Sequence, residues 1–343
     1  MTDATATTSA DHAHDLEEVV AALREDSRFL LTTHEGPDGD ALGSLLALHE
    51  ILTQLGKDSV MFLCEKEFPL PVEYRFLALQ EVFHEPPADL SDRTIVFLDC
   101  GNIDRMPVSW LRQGQRILNV DHHHDNTRFG DLNLVDVEAS CTAEIVFEIS
   151  HRLGATTTPS VAQALYVGLV TDTGMFMYEN TDARTHRVAA ELIEAGVDVN
   201  ETFRRLYERV PEEKLRLIAR ALGKIDRRLS GTLTTTYISA ADYAATGADE
   251  TMTEGIIDFV RGIEGTSVAA VVRDKPDSQR EARKVSLRST DGRVDVSRIA
   301  RKMGGGGHRR AAGFSTDRGY DELLAFLADE VAAGGLDAHS DAA

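Results

Sequence analysis

The chain has 343 residues, 42% hydrophobic and 27% charged, with 57 acidic against 36 basic residues and a net charge of -21. That length suits two ordinary domains with real cores, and the composition excludes a disordered or fibrous chain. Cys64, Cys100 and Cys141 are too few and too scattered for a disulfide scaffold or a CxxC site. No apolar run approaches the ~18 residues that a bilayer span needs. The N-terminal MTDATATTSADHAHD lacks the basic and apolar regions of a signal peptide, so residues 1–14 are expected to be a disordered tail on a cytoplasmic chain.

Residues 15–26 place apolar side chains at helical spacing. RFLLTTH (28–34) reads as a buried strand, EGPDGD as a loop, and ALGSLLALHEILTQLG as a helix stopped at Gly56. DSVMFLC (58–64), RTIVFLD (93–99) and RILNVD (116–121) predict further strands, and helical patterns follow near 141–153, 158–170 and 182–195. Strands alternating with helices predict an α/β domain over 15–200, with a parallel sheet and helices on both faces. Residues 201–228 read as an amphipathic helical connector, with a domain boundary near 225. GTLTTTYIS (231–239), SVAAVVRD (267–274) and RKVSLRS (283–289) then predict strands, with helical patterns near 252–262, 295–303 and 319–333. These make a smaller α/β domain over 229–335, followed by a frayed tail.

Five stretches carry side chains suited to chemistry. In HEGPDGD (34–40), His34, Asp38 and Asp40 follow a strand on a turning loop, a set that suits Mn2+ or Mg2+, although Pro-Asp-Gly-Asp is also ordinary turn chemistry. Asp99 closes a strand in FLDCG. In NVDHHHDN (119–126), Asp121 and three consecutive histidines follow another strand, and an Asp can orient an imidazole by accepting its distal N–H. Asp172 ends an apolar helical run, where a buried carboxylate needs a cation. KMGGGGHRRAAGF (302–314) offers backbone N–H groups and cations to an anion. It closes the one strongly basic segment: Arg273 to Arg310 holds twelve Lys/Arg and five Asp/Glu. Arg288 is a second candidate clamp for phosphate. The overall acidity opposes tight binding of long nucleic acid. Asp38, Asp40, Asp99 and Asp172 together supply four negative charges, which balance two divalent ions.

In this order the five stretches resemble the DHH phosphoesterase family with a DHH-associated second domain. The likeness spans about residues 15–335 and is greatest to the short bacterial NrnA-like branch. It implies an enzyme that hydrolyses short oligoribonucleotides and removes the 3′-phosphate of adenosine 3′,5′-bisphosphate (pAp). It implies two divalent ions, Mn2+ foremost, with Mg2+ or Co2+ as substitutes. His34, Asp38 and Asp99 would hold one ion. Asp40, Asp99, His122 and Asp172 would hold the other, with Asp99 bridging. Asp121 would orient the site and His123 would face the substrate phosphate. Gly305, Gly306, Gly307 and His308 would hold substrate, with Arg288, Arg309 and Asn126 beside them. The resemblance also implies a homodimer.

Alternatives within the family are a phosphodiesterase of cyclic or linear di-adenosine dinucleotides and a RecJ-like single-strand exonuclease. An inorganic pyrophosphatase would share the first four motifs but not GGGGH. A non-catalytic nucleotide-binding module would have lost some of the six candidate ligands, and all six are present.

Overall fold

The structure, a computed structural model, describes residues 9–79, 81–208, 210–275, 282–307 and 309–337. The chain divides into two compact units, Met1–Arg209 and Val210–Ala343.

In the first unit, α1 (Ser9–Glu25), β1 (Arg28–Thr32), α2 (Gly39–Gln54), β2 (Asp58–Phe62), β3 (Val82–Phe83), β4 (Thr94–Leu98), β5 (Arg116–Asp121) and β6 (Leu132–Val135) follow one another. Helices α3 (Thr142–Leu153), α4 (Pro159–Asp172), α5 (Ala183–Glu194) and α6 (Val199–Phe203) complete it. The sheet order is β3-β2-β1-β4-β5-β6 and every pairing is parallel. The near-continuous apolar runs have a physical reason, since a parallel sheet is covered on both faces. Phe29, Leu31, Val96, Leu98 and Val120 point into a core with α1, α2, α3 and α4. Leu30, Ile95 and Phe97, the alternate residues, meet Leu90, Ile103, Met106 and Leu111. Those partners come from or adjoin one-turn 3-10 helices, so the helices on this second face are short ones.

α2 and α4 lie unusually close. A Cβ at Gly43 would stand 2.3 Å from the Ala164 carbonyl oxygen, and one at Gly39 would stand 2.4 Å from Thr171 Oγ1. Only hydrogen at those positions admits the neighbouring helix.

The second unit opens with α7 (Glu212–Leu222), β7 (Asp226–Arg228), β8 (Leu233–Ile238), α8 (Ala240–Thr246), α9 (Ile256–Arg261), β9 (Val268–Asp274) and β10 (Arg283–Ser289). It ends with α10 (Val296–Lys302), β11 (Gly306–Gly307), β12 (Ala311–Thr316) and α11 (Tyr320–Asp337). Its sheet runs β11-β12-β10-β9-β8-β7, with β8 and β9 parallel and the other pairs antiparallel. One face packs on Val296, Ile299, Leu323 and Leu327. The other packs on Leu217, Ala221, Ile256 and Val260.

The division therefore falls ahead of the expected boundary near 225. The 201–228 stretch is not one helix: Pro211 caps α7 and separates it from α6 and the π-turn at Arg204–Glu208. A proline lacks the N–H that a continuing helix requires. α7 buries Leu217 and Ala221 in the second unit.

Candidate metal centre

In the sheet of the first unit, β1 and β4 are neighbours although two strands intervene in sequence. The chain runs outward from β1 through β2 to β3, then returns to β4 and continues the other way. Such a switch point opens a crevice at the carboxyl ends of the two strands. His34 follows β1, Asp99 follows β4, and Asp121 to His123 leave β5. Asp38 caps α2, its Oδ1 accepting from the N–H groups of Asp40 and Ala41 at 3.1 Å each. Asp172 is the last residue of α4. The glycine contacts between α2 and α4 thus set the spacing of the aspartates that these helices carry.

His34 Nε2 lies 3.4 Å from Asp99 Oδ2. His122 Nε2 lies 3.6 Å from Asp99 Oδ1 and 3.8 Å from Asp172 Oδ2. The donor atoms of His34, Asp38 and Asp99 fall within 4.8 Å of one another, and so do those of Asp99, His122 and His123. Asp99 belongs to both groups. Its backbone sits at φ 54, a left-handed conformation that a non-glycine residue rarely adopts. Such strain gathers where a side chain must be aimed. Thr142 Oγ1 donates to Asp99 Oδ1 at 3.2 Å.

Asp40 is buried beside this group, and its oxygens are also used by the fold. Oδ2 accepts the Thr142 N–H at 2.7 Å and Oδ1 accepts the Ala143 N–H at 2.9 Å, at the start of α3. Oδ1 also accepts from Ser44 Oγ at 3.3 Å, so Oδ2 is the oxygen with a second lone pair to offer. Asp172 Oδ2 accepts from Asn180 Nδ2 at 3.2 Å.

The electrostatics call for cations. Burial raises the Asp40 carboxyl well above its ordinary range, and Asp99 and Asp172 add to the effect. Burial likewise pushes Asp172 up to about 6. Burial opposes the ionised form of Asp99 too, but the His34 hydrogen bond and the charges of His123, His34 and His122 outweigh it and hold Asp99 well below its usual range. Burial works against a charged His122, yet Asp172, Asp99 and Asp40 carry it up to about 9. Crowded carboxylates otherwise have to share protons, and a divalent cation relieves them. Aspartate and imidazole donors suit such an ion. The residues present therefore fit a divalent metal.

Asp121 and His123 form a buried pair at the edge of this group, with His123 Nδ1 2.7 Å from Asp121 Oδ1 and 3.5 Å from Asp99 Oδ1. Asn126, expected at the substrate, instead donates Nδ2 to Asp121 Oδ2 at 2.5 Å and to Asn119 Oδ1 at 2.8 Å. It anchors Asp121, because its amide hydrogens are spent inside the loop. On the far side of the ring, Arg105 Nη1 lies 3.3 Å from His123 Nε2.

The second unit corrects part of the glycine expectation. The Gly305 N–H donates to Ala300 O at 2.9 Å, which closes α10. A Cβ at Gly305 would stand 2.1 Å from Gly313 O, and one at Gly307 2.5 Å from Ala311 O. These two glycines let β11 and its approach lie against β12. Gly306 is exposed with open space around it. His308 lies outside the described residues. Arg288 Nη1 donates to Leu287 O at 3.1 Å, and the exposed Arg309 donates Nε to Gly292 O at 3.1 Å.

Arg105, Thr142, Asn180 and Asn119 were not evident from sequence. Asn119 alone left a signal, as a polar residue inside the apolar run of β5. Its Nδ2 donates to Cys100 O at 3.1 Å.

Comparison with known proteins agrees with this arrangement. Residues 28–169 match the DHH family, N-terminal domain, and residues 233–333 match the DHHA1 domain. The bifunctional oligoribonuclease and PAP phosphatase NrnA of Thermus thermophilus is 34% identical over 89% of this chain and 90% of its own length. The Bacillus subtilis protein of the same name is 28% identical over 91% and 96%. Among solved structures, an exopolyphosphatase-related protein from Bacteroides fragilis superposes with a TM-score of 0.83 at 20% identity, covering 99% of this chain and all of that one. RecJ of Thermus thermophilus in complex with Mn2+ superposes at 0.55 with 16% identity, over 93% of this chain and 54% of that one, which shows a shared fold. No described helix is long and apolar enough to cross a membrane. The chain belongs to the DHH phosphoesterase family, its DHH domain followed by a DHHA1 domain.

Proposed function

We propose that this chain is an Mn2+-dependent phosphoesterase that hydrolyses short oligoribonucleotides to nucleoside 5′-monophosphates and removes the 3′-phosphate of pAp. The observation that carries the reading is the position of Asp99. Its carboxylate is shared by two groups of donors at the switch point of a parallel sheet. The 34% identity with a bifunctional oligoribonuclease and PAP phosphatase supports the substrates.

In this reading His34, Asp38 and Asp99 hold one ion, and Asp40, Asp99, His122 and Asp172 hold the second. Bound there, the ions supply a water of lowered pKa and positive charge for the phosphoryl oxygens. The protein's own groups do the rest. Asp99 keeps its negative charge because three imidazoles surround it. Asp121, fixed by Asn126, sets the tautomer and angle of His123. His123 then faces the phosphate as a hydrogen-bonding or acidic group. Gly306, His308, Arg288 and Arg309 of the DHHA1 domain receive the nucleotide, supported by the basic balance of the 273–310 segment. A cytoplasmic homodimer completes the reading, supported by three free cysteines and by the family.

A turnover panel tests this. The Mn2+-loaded protein is offered pAp, di- to pentanucleotides, cyclic di-AMP and pyrophosphate. Release of phosphate from pAp and of 5′-mononucleotides from the short RNAs is expected. Hydrolysis confined to cyclic di-AMP or pyrophosphate would overturn the assignment.

A further inference from the structure

Arg105 stands out among the arginines of the first unit by its place against His123. Arg93, Arg116 and Arg184 are each spent on carboxylates. Arg105 is exposed, and among the described residues it has no carboxylate partner. Among the described residues its side chain meets His123 Nε2, the ring nitrogen opposite Asp121.

The backbone beneath it is fixed. Arg105 N donates to Asn102 O at 2.9 Å, and Arg105 O accepts the Glu35 N–H at 2.9 Å. Buried Ile103 and Met106 flank it. One of these bonds reaches the residue next to His34, so the segment after β4 is tied to the loop after β1. The guanidinium is therefore held at the mouth of the crevice on a rigid support, beside the imidazole proposed to meet phosphate. A guanidinium carries five N–H donors and no acceptor. One contact with His123 leaves the others for a ligand. Two unpaired oxygens of a phosphoryl group match that fork in shape and charge.

We infer that Arg105 is a substrate-contacting residue that grips the phosphoryl group of the nucleotide together with His123. The inference rests on the phosphoesterase reading of the same crevice and adds a residue to it. A purely structural role, holding the His123 ring, would require only a hydrogen-bond donor near Nε2. A phosphate contact requires positive charge.

Arg105→Gln and Arg105→Lys separate the two. Gln keeps a donor and loses the charge; Lys keeps the charge. Binding of inorganic phosphate to the Mn2+-loaded protein is measured by calorimetry, and turnover of pAp is scored independently. The expected result is phosphate affinity at least about tenfold weaker in R105Q and within about threefold of wild type in R105K, with Mn2+ affinity unchanged in both. Equal phosphate affinity in wild type and R105Q, including none measurable in either, overturns the assignment. So does loss of Mn2+ binding in R105Q. An inactive wild type that still binds phosphate through Arg105 would remove the substrate reading and leave this contact standing.

Discussion

His123 Nδ1, on the loop leaving β5, lies 2.7 Å from Oδ1 of Asp121, the last residue of that strand. Burial disfavours a charged His123, but Asp121 at hydrogen-bond distance raises its pKa above the ordinary value. Asp121 is fully buried and is itself held by Asn126. Asp121→Asn should keep the fold, since the amide is nearly isosteric, and should misdirect the imidazole. A fall in kcat on pAp of about 10- to 100-fold with little change in KM is expected, as for other groups that orient a functional histidine. Steady-state kinetics on the two proteins checks this.

Asp99 faces three imidazoles and shares its carboxylate between both donor groups. Removing it should empty both at once. Asp99→Ala is expected to bind no Mn2+ by calorimetry and to lose turnover by more than about 10^3-fold. Circular dichroism should remain that of the wild type, because Asp99 lies past the end of β4. Two Mn2+ per chain retained in the variant would refute the bridging position.

The pH dependence of the second unit turns on Asp242. Burial raises its carboxyl, but hydrogen bonds from Lys224, Ser239 and Arg220 outweigh this and hold it well below the ordinary carboxylate range. Ser239 N and Oγ donate at 2.8 and 2.6 Å, and Arg220 Nε at 2.9 Å. A depressed folded-state pKa stabilises wherever the unfolded chain would also be ionised. The stabilisation is therefore present at neutral pH and is lost as pH falls below about 4, where the unfolded carboxyl takes up its proton first. Asp242→Asn should cost ~2 kcal/mol at neutral pH, because the charge-assisted hydrogen bonds from Lys224 and Arg220 are weakened. Its urea midpoint should then fall less steeply than that of the wild type between about pH 5 and pH 3. Parallel slopes would show that Asp242 does not govern acid sensitivity.

Where the sequence speaks through uninterrupted apolar runs, it places the fold well. β1 and β4 are such runs and β5 is one broken by Asn119; each leads to a polar residue of the crevice, and three histidines in succession mark the third. β12 was not evident, because Ala-Ala-Gly-Phe has little strand character and its pairing partner β10 lies across a helix and the glycine run. That run shows a deeper limit. A glycine admitting a ligand and a glycine admitting a neighbouring strand look alike in sequence, and Gly305 and Gly307 are of the second kind. Arg105 sits in a segment without periodicity, and its place beside His123 exists only once β4 and β5 are paired. The amphipathic pattern of 201–228 concealed a break, since periodicity persists across Pro211 while the helix cannot.

Gly43 links packing to chemistry. Its missing Cβ allows α2 to approach the Ala164 carbonyl on α4, and a methyl group there would stand 2.3 Å from that oxygen. The obstacle is backbone, so it cannot swing aside as a side chain would. Gly43→Ala must push the helices apart, at a cost of about 1–3 kcal/mol from overpacking, offset by less than ~1 kcal/mol of improved helix propensity. α2 carries Asp38 and Asp40, and α4 ends in Asp172. Separation of the helices therefore moves aspartates on opposite sides of the proposed second ion. Mn2+ should bind this variant more weakly at that position than at the one held by His34, Asp38 and Asp99. A calorimetric titration should resolve one nearly unchanged and one weakened site, alongside a lower melting temperature. A lower melting temperature with both Mn2+ affinities intact would mean that the helix contact supports the fold without setting the metal spacing.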